Sequence, residues 1–89
     1  MQQTYLEVTY RRGRPFAAYY YLPRRSGQRS YRTEEVAPGL LVDYARGGKA
    51  IGVEISAPAA VTLSALNRVL KQLGHTPLKR DEFAPLRAA

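Results

Sequence analysis

The stretch LLVDYARGGKAIGVEI, Leu40 to Ile55, constrains the fold more than any other part of the chain. Two alternating apolar runs flank Gly47-Gly48, and paired glycines readily supply the positive φ angles that a tight hairpin needs. A two-residue loop there sets the register. Leu40 then faces Ile55, Val42 faces Val53 and Tyr44 faces Ile51, all on one side. Asp43 opposite Gly52 and Leu41 opposite Glu54 fall on the other. A slip of one residue would move every apolar group to the wrong face, so the pattern specifies its own pairing.

A second hairpin is expected upstream. Thr4 to Tyr10 alternates and is rich in β-formers, RRGRP reads as a turn, and Phe16 to Leu22 as the returning strand. With the turn centred on Arg12-Gly13, Val8 faces Ala17, Leu6 faces Tyr19 and Tyr5 faces Tyr20. Successive strand residues point to opposite faces, so Tyr20 is expected outward and Tyr19 and Tyr21 inward. PRRSGQRS, Pro23 to Ser30, is a loop, and Tyr31 to Val36 reads as a short strand or a turn. From Ala59 to Leu73 the period changes. Leu63, Leu66, Leu70 and Leu73 share a helical stripe with Val69 beside it, and Gly74 is a helix stop. The expected fold is α+β: a four-stranded antiparallel sheet of two hairpins, with one C-terminal helix packed on one face. Residues 1–74 form the single domain, and residues 75–89 an extended or flexible tail.

The 89 residues allow one domain. There is no cysteine, hence no disulfide framework, thiolate nucleophile or zinc ribbon. MQQTYLEV lacks the basic and apolar segments of a signal peptide, and no apolar run approaches the ~20 residues of a membrane span. A cytoplasmic protein with no membrane association is expected. The net charge of +7 is unevenly placed: residues 1–32 carry seven arginines against Glu7 alone.

The segment RTEEVAPGLLVDYARGGKAIGVEI, Arg32 to Ile55, resembles domain of unknown function family 2283, small proteins of bacteria and archaea. The resemblance lies in Glu34-Glu35-Val36, Leu41-Val42-Asp43, Gly48 and Gly52-Val53-Glu54-Ile55. Tyr10 and Ala17 to Leu22 look like the family's first hairpin, so the likeness spans roughly residues 5 to 56. The chain departs from the family at Arg11, Arg12, Arg14 and Phe16, where the family tends to be acidic. What the resemblance implies is an antitoxin-like role beside a small toxin.

No phosphate-binding glycine loop, nucleophile elbow or zinc spacing occurs, and His75 follows the helix stop with no partner in view. No enzyme, cofactor or metal is expected. Asp43 and Glu54 are the motif carboxylates. They could form half of a metal or acid–base site, but a pair of surface carboxylates answering the arginines is the simpler reading. The helix covers one sheet face only, which leaves Tyr5, Phe16 and Tyr20 as candidate partner-binding residues on the other. The expectation is therefore a protein-interaction module, as a homo-oligomer or with a small protein partner. The alternative is nucleic-acid binding through Arg11, Arg12, Arg14, Arg24, Arg25 and Arg29. These fall at opposite ends of a strand about 23 Å long.

Overall fold

A computed structural model describes residues 3–87. Among them, five strands form one antiparallel sheet: β1 (Tyr5–Arg11), β2 (Arg14–Tyr21), β3 (Arg32–Ala37), β4 (Leu40–Tyr44) and β5 (Ala50–Ile55), in the spatial order β1-β2-β5-β4-β3. The fold is α+β as expected, with five strands in place of four. The segment read as a short strand or a turn is the added edge strand.

The hairpin of β4 and β5 has the expected pairings Leu40–Ile55, Leu41–Glu54, Val42–Val53 and Asp43–Gly52. Beyond them the ladder shifts, and Tyr44 pairs with Ala50 instead of Ile51. The loop is longer than two residues: the Ala45 N–H donates to the Lys49 carbonyl at 2.8 Å, and the Gly48 N–H to the Ala45 carbonyl at 3.0 Å.

The first hairpin corrects the expected register. Its tip is Arg12-Gly13, with φ of 53° and 78°. Tyr10 pairs with Pro15 but Thr9 with Ala17, so Phe16 is an extra residue in the ladder. Proline has no N–H to give to a partner strand, and bulges are where sheets accommodate it. The extra residue shifts all later pairs by one: Val8–Ala18, Leu6–Tyr20, Glu7–Tyr19 and Tyr5–Tyr21. Tyr20 is therefore a core residue, 6 % exposed, beside Ala18 and Leu22. Tyr19 and Tyr21 occupy the opposite face.

The helix is shorter than its apolar stripe. Pro58–Ala60 forms a 3-10 turn, and α1 covers Leu63–Gln72. The Thr62 hydroxyl caps it by accepting from the Ala65 N–H at 3.0 Å. At the other end His75 N–H reaches the Leu70 carbonyl and Gly74 N–H the Lys71 carbonyl, the Schellman pattern, with Gly74 at φ 81°. Leu66, Val69 and Leu70 are buried against the sheet.

The helix is not the C-terminal element, and the expected extended tail is folded through residue 87. Asn67 grips Leu78 by both amide groups: its Nδ2 donates to the Leu78 carbonyl at 3.0 Å, and its Oδ1 accepts the Leu78 N–H at 2.8 Å. A one-turn helix α2 (Arg80–Phe83) and a 3-10 turn (Ala84–Arg87) follow. Glu82 accepts the Lys79 N–H at 2.7 Å. The Arg87 guanidinium donates to the carbonyls of Pro58 and Val61. Leu78, Phe83 and Leu86 thereby join the core. Residues 1, 2, 88 and 89 of the expected domain and tail lie outside the described residues.

Candidate interaction face

With α1 and the C-terminal turns on one side, the sheet's other side is uncovered, and the ladder fixes what it carries. Cross-strand partners share a face. One row reads Glu7, Tyr19, Glu54, Leu41 and Glu35, across β1, β2, β5, β4 and β3. The next reads Tyr5, Tyr21, Gly52, Asp43 and Thr33. Four of the chain's seven carboxylates thus lie on one face of a protein whose net charge is +7. Glu7, Glu54 and Glu35 occur on every second strand, about 10 Å apart at the ladder spacing, and all three are exposed.

The second row is built around Gly52. Tyr19 lies across it so closely that a Cβ there would fall 2.0 Å from the Tyr19 hydroxyl oxygen. That placement lets Tyr19 Oη donate to Asp43 Oδ2 at 2.7 Å, while the Thr33 hydroxyl donates to Asp43 Oδ1. The Tyr19 pKa is pushed up to about 12, first by burial and then by the bond to Asp43; the Arg24 guanidinium pulls the other way. The phenol is thus a committed donor across the neutral range. Arg24 bonds the Ile51 carbonyl at 2.7 Å and lies 5.3 Å from the Tyr21 ring centre. Tyr5 stacks on Tyr21 with centroids 4.4 Å apart, and Tyr19 meets Tyr21 edge-on at 4.7 Å. Tyr21 Oη donates to Glu7 at 3.1 Å. Loss of hydration and this bond raise its pKa.

The candidate partner residues do not form one surface. Tyr20 is inside the core. Tyr5 is 42 % exposed on the open face, whereas Phe16 sits at the bulge near the far end of β2, under Arg11 at 4.9 Å. Asp43 and Glu54 do share the open face, on adjacent strands, and Asp43 is held by two hydroxyls. Among the described residues no group of three or more His, Cys, Asp or Glu side chains is placed to hold a metal ion. Arg11, Arg12 and Arg14 line a concavity at the first hairpin tip, and Arg25 and Arg29 another at the opposite end of β2. Arg24 belongs to the tyrosine network. Sequence reading missed Glu7, Glu35, Tyr19 and Tyr21 as face residues; recognising a bulge at Phe16, next to Pro15, turns both tyrosines outward.

No protein-family model matches the chain, and no curated protein or solved structure matches it significantly. Among the described residues no helix is long and apolar enough to cross a membrane.

Proposed function

We propose that this is a small, cytoplasmic, non-enzymatic interaction module whose uncovered sheet face docks a basic protein partner. One observation carries the reading: the carboxylates of Glu7, Glu54 and Glu35 recur across the whole width of a tyrosine-bearing face. Aromatic groups supply contact area at low entropic cost, and charged groups select the partner. Two copies meeting through this face would oppose carboxylate to carboxylate, so a basic surface suits it better than a second copy. The same charge pattern disfavours nucleic acid on this face, since phosphates would meet the carboxylate row. The likeness of residues 5–56 to domain of unknown function family 2283, with the antitoxin-like role it implies, supports the same reading, and membership of that family is part of the proposal.

The test is affinity purification of the tagged chain from its native host, with the triple substitution Glu7→Lys, Glu35→Lys, Glu54→Lys in parallel. A basic protein that accompanies the wild-type chain and is lost from the folded triple variant supports the proposal. Retention of that protein by the variant, or a wild-type chain that comes out alone, overturns it.

A further inference from the structure

The basic residues, like the acidic ones, are gathered by the fold, and one gathering joins parts distant in sequence. At one end of the sheet the β2–β3 loop lies against the β4–β5 turn. Between them is a concavity of about 520 Å3, lined in part by Arg25, Gln28, Arg29, Tyr31, Ala45 and Arg46. Three arginines line it, and no carboxylate does. Among the described residues none of these three arginines forms an ion pair with a carboxylate. Its walls are held in place. Arg25 N–H donates to the Gln28 side chain at 2.9 Å, and Gln28 N–H returns to the Arg25 carbonyl at 3.1 Å. Tyr31 N–H donates to the Tyr44 carbonyl at 2.8 Å. Tyr31 is 63 % exposed, with the Arg46 guanidinium 4.4 Å from its ring centre.

Unpaired arginines beside an exposed aromatic ring are the chemistry that grips a single nucleic-acid strand: guanidinium groups on phosphates and a ring on which a base stacks. We infer that the concavity formed by Arg25, Arg29, Arg46 and Tyr31 binds single-stranded nucleic acid, with phosphates on the three arginines and an unpaired base on Tyr31. A duplex fits less well. Its bases are already stacked on one another and offer no free face to Tyr31. This site is separate from the acidic face and stands or falls independently of it.

The probe is a short fluorescent oligothymidylate, followed by anisotropy with the full chain and compared with a duplex of equal length. Three phosphate contacts on a single strand predict a slope near −2 in log affinity against log salt, or a loss of about 20-fold between about 50 and 200 mM salt. Replacing Arg25, Arg29 and Arg46 together by alanine flattens that slope. Tyr31→Ala weakens binding by about 5-fold or more with the slope unchanged, and Tyr31→Phe restores it. Thermal melts establish that each variant is folded. Four results would each overturn the inference: no binding at low salt, equal binding of the duplex, equal loss when Arg11, Arg12 and Arg14 are replaced instead, or full displacement by tripolyphosphate with Tyr31→Ala without effect. The last would mark a bare phosphate site.

Discussion

Gly52 is where the open face is assembled. Its missing side chain is the space the Tyr19 ring fills, with ring atoms as well as the hydroxyl inside any Cβ contact distance. Gly52→Ala forces the ring away and breaks its bond to Asp43, at an expected cost of about 1–3 kcal/mol in urea unfolding. In a Tyr19→Ala background the same substitution should cost far less, because the obstructing ring is gone; an undiminished cost would mean that the backbone, not the ring, sets the requirement. Tyr19 also reports on itself. Its folded-state pKa of about 12 lies above the ordinary value of 10.0, so the folded chain holds that proton more tightly than the unfolded one. The stabilisation this represents is complete below pH 10 and is lost as pH rises through the folded value. An absorbance titration of the phenols should show a component near pH 12 that Tyr19→Phe removes. Asp43→Asn should move that component downward, leaving the part due to burial. If Tyr19→Phe leaves the alkaline titration unaltered, the phenol is not held as described.

At the scale of elements, what the sequence discloses depends on whether a pattern is local. The β4–β5 pairs from Leu40–Ile55 to Asp43–Gly52 are legible because alternation and a glycine pair agree on one register, whereas the shift that pairs Tyr44 with Ala50 leaves no mark on that pattern. The first hairpin departs from its expected register by one residue because alternation alone does not register an insertion. Pro15 was the signal, as a residue unable to donate to β1. The C-terminal segment reads as a tail because LKRDEFAPLR has no sustained period. Its order comes from tertiary anchors instead: the Asn67 amide on Leu78, the Arg87 guanidinium on Pro58 and Val61, and three apolar side chains spaced to reach one core. Phe83→Ala should accordingly destabilise the whole protein by about 3–5 kcal/mol, read as a lower midpoint in a single cooperative unfolding transition. Asn67→Ala should cost about 1–3 kcal/mol by stranding the Leu78 backbone groups, with faster amide exchange from residue 78 onward. A value near zero for Phe83→Ala would mean that the segment is detached in solution.

The whole molecule separates its charge in a way that no stretch of sequence displays. Glu7, Glu35, Asp43 and Glu54 are scattered over four strands, and only the order β1-β2-β5-β4-β3 lines them up. The same order brings Arg46 of the second hairpin to Arg25 and Arg29 of the preceding loop. The six arginines read as one candidate set divide accordingly, between the hairpin tip, the tyrosine network and the β2–β3 concavity. Net charge is therefore a poor guide to which partner this protein meets: the local field decides, and here an acidic face lies on a basic protein. Two consequences can be measured together. Alone at neutral pH, the chain should scatter light as a monomer of 10.0 kDa, because its broadest free face repels its own copy. In complex with its basic partner, carbodiimide-driven amidation should spare Glu7, Glu35 and Glu54 while still modifying Asp81 and Glu82, which lie on α2 across the sheet from that face. The monomer should label at all five. Protection of Asp81 and Glu82 with the sheet carboxylates still reactive would move the docking surface to the helical side, where the charge argument no longer selects a basic partner.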